Sequence, residues 1–109
     1  MSQFSCVIQE GGPAHRQTDE LASALRELHA RHYPGEDASV GWMPVPPGHM
    51  FTEGKQSTSS VIACRIDHVT TLDQRERYMR DVCDLWTGST GCTDHEVVVS
   101  ITDASQTNT

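Results

Sequence analysis

The sequence predicts an α/β domain, α+β in some schemes, made of two consecutive β-α-β units that share a four-stranded sheet with both helices on one face. Three observations lead there. The 109 residues suit one small domain, whose modest core gains from association. Four β-prone runs alternate with two helical patterns in the order β-α-β, connection, β-α-β. Each helix must carry the chain back parallel to its own first strand, and the right-handed preference of such crossovers puts both helices on the same side. The other face of the sheet is left bare, so burial against further subunits is expected.

The first unit spans about 2–45. Phe4 to Gln9 alternates and is β-prone, and Gly11-Gly12-Pro13 closes it. From Thr18, a candidate cap, Leu21, Ala24, Leu25, Leu28 and His32 recur at steps of three and four, with Asp19 and Glu20 in the first turn. Tyr33-Pro34-Gly35 ends that helix. Ala38 to Val45 is the second strand, with pairing expected to stop at Pro44. The connection, 46–58, is rich in turn residues and has room for a short hairpin. The second unit, about 59–103, opens with Ser60 to Ile66, the most strand-like run in the chain. Thr71 and Gln74 form a capping-box pattern ahead of a helix whose face carries Tyr78, Met79, Val82, Cys83 and Trp86, with Gly88 and Gly91 bounding its end. His95 to Ile101 is the fourth strand, and the polar tail 104–109 is expected to fray.

Charge narrows the partners. Lys+Arg 8 against Asp+Glu 15 gives a net charge of −7, which repels a polyanion, so no nucleic-acid partner is expected. There is no apolar run of membrane-spanning length and no secretory pattern at the amino terminus, so no membrane partner and a cytoplasmic location are expected. Cys6, Cys64, Cys83 and Cys92 have no close C-x-x-C spacing, so neither a metal site nor a disulfide framework is expected. They read as small, buried, reduced side chains, with no case for a Cys nucleophile.

The segments Leu21-Ala22-Ser23-Ala24-Leu25-Arg26-Glu27-Leu28-His29, Val45-Pro46-Pro47-Gly48-His49-Met50-Phe51-Thr52-Glu53-Gly54-Lys55 and Val97-Val98-Val99-Ser100-Ile101-Thr102-Asp103, in this order and spacing, resemble the tautomerase superfamily, in particular its cis-3-chloroacrylic acid dehalogenase-like group. The resemblance implies two β-α-β units per chain, a homotrimer, a small-molecule acid substrate and no cofactor. It also implies an amino-terminal proline whose secondary amine transfers the proton. Counted back from His29, that position holds Ser2. Where relatives carry an Arg-x-x-Arg clamp for the substrate carboxylate, this chain reads Asp67-His68-Val69-Thr70. An aspartate there would repel an anionic substrate.

The candidate site follows from these matches. If Met1 is removed, Ser2 supplies a primary amine able to act as a weak base, and otherwise it only starts a strand. His29 lies where relatives place a histidine near the substrate, although the negative end of the helix dipole also favours a histidine there. Lys55 and Arg65 are the remaining cations able to meet an anion, and Phe51 and Trp42 are candidate pocket walls. Lys55 can equally be a solvated surface charge. An Asp67–His68 pair is disfavoured, because adjacent strand residues point to opposite faces. The functional expectation is a weak keto-enol tautomerase or isomerase with Ser2 and His29 as its catalytic groups. A non-catalytic trimeric relative and a hydration or dehalogenation activity based on His29 are the alternatives.

Overall fold

The computed structural model describes residues 1–52, 54–56 and 59–106. Its elements run β1 (Ser2–Gln9), α1 (Thr18–His32), β2 (Ala38–Val45), the hairpin strands β3 (Phe51–Thr52) and β4 (Lys55–Gln56), β5 (Ser60–Arg65), α2 (Leu72–Thr90) and β6 (Val97–Thr102). The main sheet has the order β2-β1-β5-β6. β1 and β2 are parallel, as are β5 and β6, while the central pair β1 and β5 is antiparallel. Two β-α-β units therefore sit side by side, as the alternation of strand and helix patterns requires.

The period-two pattern of the strands decides which face is covered. Phe4, Cys6 and Ile8 of β1 and Ile62 and Cys64 of β5 point toward the helices and are buried with Leu21, Leu25 and Leu28 of α1 and Tyr78, Val82 and Trp86 of α2. The intervening Gln3, Ser5, Val61 and Arg65 lie on the helix-free face. Met79 and Cys83, expected on the buried stripe of α2, are half-buried at its margin. The cysteines are all free; Cys6 and Cys64 are buried, whereas Cys83 and Cys92 are half-buried.

Several local expectations change. Thr18 does not cap α1; its backbone is already helical, the break falls at Gln17 at the end of the 3-10 turn His15–Gln17, and no side chain bonds at that cap position. The β1–β2 pairing passes through Pro44 to Gln9↔Val45, and Glu10 N–H donates to the Val45 carbonyl at 2.8 Å. Proline is tolerated there because β2 is an edge strand whose missing donor costs the ladder nothing on its open side. Gly88 lies inside α2, and Gly91, at φ 75°, ends it in the left-handed conformation that glycine adopts without strain. The fourth strand begins at Val97, after a short 3-10 turn over Asp94–Glu96. Ala104–Gln106 form a further 3-10 turn anchored by Asp103, and the rest of the expected fraying tail, 107–109, lies outside the described residues. So do Glu53, Ser57 and Thr58 of the connection.

Candidate functional site

The amino-terminal end of β1 meets the turn after α1 and the segment after β5. Ser2, the first residue of β1, is 1% exposed. Its hydroxyl accepts from Asp67 N–H at 3.1 Å and donates to Asp67 Oδ1 at 3.3 Å. Asp67 Oδ2 pairs with the Met1 amine at 2.6 Å, and that hydrogen bond, ahead of the other influences, holds the Asp67 carboxyl below its ordinary pKa.

Glu36 is delivered by the turn that stops α1. Gly35 takes φ 84°, a left-handed conformation unfavourable for any residue with a Cβ, and turns the chain so that Glu36 faces two histidines. Glu36 Oε1 stands 3.6 Å from His29 Nε2, and Oε2 stands 3.3 Å from His68 Nδ1. His68 Nδ1 also lies 3.8 Å from Asp67 Oδ1. Asp67 and His68 thus come together, contrary to the expectation from strand alternation. β5 ends at Arg65, so the alternation of a strand does not govern the bend beyond it, and both side chains approach Glu36.

His29 is wholly buried in an aromatic cage. Its ring meets Phe4 edge-on at 6.5 Å, Tyr33 at 5.4 Å and Tyr78 at 5.9 Å, and its Nδ1 lies 2.8 Å from the Tyr78 hydroxyl. Burial lowers its pKa, partly opposed by the Glu36 charge, so the neutral ring is favoured. Burial also raises the Tyr78 pKa, which keeps the phenol protonated. The thiols of Cys6 and Cys64 are pushed up to about 12 and about 11, mainly by burial, which favours the protonated thiol at both positions near neutral pH.

Met1, Glu36, Asp37, Asp67 and His68 line an open depression of about 390 Å³. Its surroundings are acidic. The guanidinium of Arg26 is engaged with Asp37 through two hydrogen bonds, 3.1 and 2.9 Å long.

Ser2 and His29 thus belong to one connected network through Asp67, His68 and Glu36. The other sequence candidates are elsewhere. Lys55 and Phe51 lie on the exposed hairpin, and neither lines the depression. Trp42 packs at 6.1 Å against Trp86 at the edge of the core. Arg65 is opposite Gln3 on the helix-free face, in a shallow groove with Ser5, Ala63, Ser100 and Thr102. Glu36 and Asp37 were missed altogether. The only signal for them was the position of two acids directly after the Pro34-Gly35 turn.

No protein-family profile matches the sequence, and no curated protein matches it. The fold has clear counterparts among solved structures. Native Ps01740 is similar over 98% of this chain and 99% of that one, at 25% identity and a TM-score of 0.84. N1, a member of the cis-3-chloroacrylic acid dehalogenase family, covers 97% of this chain and 79% of its own at 14% identity and a TM-score of 0.83. Native fused 4-OT covers 93% and 85% at 15% identity and a TM-score of 0.79. This chain has the tautomerase fold. Fused 4-OT is also known as a symmetric trimer, and Pt0534 as a form inactivated by 2-oxo-3-pentynoate.

Proposed function

We propose that this protein is a low-rate keto-enol tautomerase or isomerase in which proton transfer uses the chain's own groups and no cofactor enters the chemical step. The observation that carries this reading is the convergence, in a tautomerase fold, of Met1, Glu36, Asp67 and His68 at one depression, with Ser2 and His29 buried behind it and tied to its lining. An amine or carboxylate at that place can move a proton between carbon and oxygen of a small carbonyl compound, and the protonated Tyr78 with neutral His29 holds the buried side of the site rigid. In this reading His29 is a positioning group, because its ring has no exposure. A water-activating role for it therefore has less support than the tautomerase role.

The charge around the depression bears on substrate choice. Glu36, Asp37 and Asp67 oppose a carboxylate, and the one arginine beside them is engaged with Asp37. A small enol or keto acid therefore binds only with its carboxylate turned away, and a neutral aryl enol is the better substrate. The same acidic lining favours a second reading, a non-catalytic trimeric relative that keeps the fold as a binding or structural module. In both readings three copies associate through the helix-free face, in a cytoplasmic protein.

One assay separates the two. Intact mass identifies which residue carries the amine, and the same sample is tested for ketonisation of an aryl enol and of a dicarboxylate enol. The expected result is a rate above background on the aryl enol, a lower one on the dicarboxylate, and a loss of at least tenfold in Asp67→Asn. Background rates on both enols, in the parent and in a Ser2→Pro variant, would remove the enzyme reading and leave the binding module.

A further inference from the structure

Glu36, Asp67 and His68 each offer a ligand atom, and these atoms all lie within 4.8 Å of one another. Exposed acids often gather without holding anything, but here a buried histidine is aimed into the group. His29 is 0% exposed, its Nε2 has no hydrogen-bond partner, and that nitrogen stands 3.6 Å from Glu36 Oε1, beyond hydrogen-bonding distance. A buried ring nitrogen without a partner is costly and calls for an explanation.

A metal ion supplies one. Two ligand atoms, each about 2.0 to 2.2 Å from a shared tetrahedral ion, are about 3.3 to 3.6 Å apart. Glu36 presents one oxygen to each histidine, Oε2 at 3.3 Å from His68 Nδ1 and Oε1 at 3.6 Å from His29 Nε2, so its carboxylate would take the ion through both oxygens, and His68 Nδ1 is 3.8 Å from Asp67 Oδ1. The geometry points to a binding site for a divalent transition-metal ion of the zinc class, with Glu36, Asp67 and His68 at its mouth and His29 Nε2 as its inner ligand. Two imidazoles and two carboxylates are a borderline donor set suited to such ions, and the carboxylates offset most of the positive charge that the dication and the Met1 amine bring together.

The surrounding contacts fit that role. With Nε2 on the ion, His29 Nδ1–H donates to the Tyr78 oxygen 2.8 Å away, which fixes the tautomer that a metal-bound imidazole requires. The His68 ring is held edge-on to Tyr33 at 4.6 Å. Asp67 is steadied by the Ser2 hydroxyl and the Met1 amine. His68, Asp67 and Glu36 are each between about a third and two-fifths exposed, which leaves a path for the ion to enter.

This inference is independent of the tautomerase reading, because it is measured without turnover. The untagged full chain, stripped with chelator and kept reduced, is titrated with Zn²⁺ and with Co²⁺. One ion per chain is expected, with visible Co²⁺ bands and no thiolate charge-transfer absorption. Glu36→Gln and His68→Ala should each weaken Zn²⁺ binding at least tenfold, and His95→Ala should leave it unchanged. His29→Ala removes a buried ring and risks the fold, so Tyr78→Phe serves as the second variant. It leaves His29 in place without its Nδ1 partner and should weaken binding about tenfold or more. Absence of one-to-one binding, undiminished affinity in Glu36→Gln and His68→Ala, or a thiolate band would each overturn the site.

Discussion

Asp103 shows how a single residue can close a structure. It follows β6 and is buried, and its carboxylate accepts from Thr70 N–H at 2.7 Å, from the Thr70 hydroxyl at 2.6 Å, from Arg75 Nη1 at 2.9 Å and from Ser105 N–H at 2.9 Å. The single Ser105 hydroxyl bond, first among these influences, and the Thr70 bonds hold its pKa well below the ordinary carboxylate range. Because the folded value is depressed, the stabilisation is fully present above the unfolded pKa of about 3.9 and is lost as pH falls toward the folded value. Urea midpoints measured from pH 7 downward should therefore drop steeply below about pH 4. Asp103→Asn should lower the midpoint at pH 7 and flatten the acid limb, and a variant that tracked the parent at every pH would show that Asp103 is not the group responsible. In sequence, Asp103 read only as the end of a family-like segment. Thr70 and Arg75 reach it from more than twenty-five positions away, which no local pattern reveals; only the Ser105 contact is local.

At the scale of elements the sequence was most informative, because period and capping are local properties. The capping box of α2 is present in both directions, with Thr71 N–H donating to Gln74 Oε1 at 2.9 Å and Gln74 N–H to the Thr71 hydroxyl at 3.1 Å. The equivalent expectation for Thr18 failed, since a cap sits at the break in helical geometry, and that break falls one residue earlier, at Gln17 with φ −137° and ψ 38°, while Thr18 is already helical. These two threonines therefore make opposite predictions from similar sequence context. Thr71→Ala should cost about 1 kcal/mol in chemical denaturation, whereas Thr18→Ala should stay within about 0.5 kcal/mol of the parent. Equal losses would contradict the capping assignment. The site was less legible than the elements for a related reason. Ser2 and His29 were visible through the resemblance, but Glu36, Asp67 and His68 converge only because a left-handed Gly35 and the end of β5 redirect the chain.

For the whole molecule, the register of the sheet turns scattered apolar residues into one surface. Met43 on β2 pairs with Val7 on β1, Val7 with Val61 on β5, and Val61 with Val98 on β6. The row crosses all four strands on the face that no helix covers, and Met43 is 61% and Val98 55% exposed. A continuous apolar row on a bare sheet face is a surface that association buries, and the proposed function makes two further copies of this chain its occupant. Light scattering on the eluting protein should give three times the chain mass. Val61→Lys combined with Val98→Lys should shift it to a single chain, because lysines on the contact face would be desolvated beside their symmetry mates. Circular dichroism should retain the parent's helix content, since neither side chain contributes to the helix-side core. A parent that elutes as one chain at micromolar concentration, or a double variant that stays trimeric, would place the subunit contacts elsewhere.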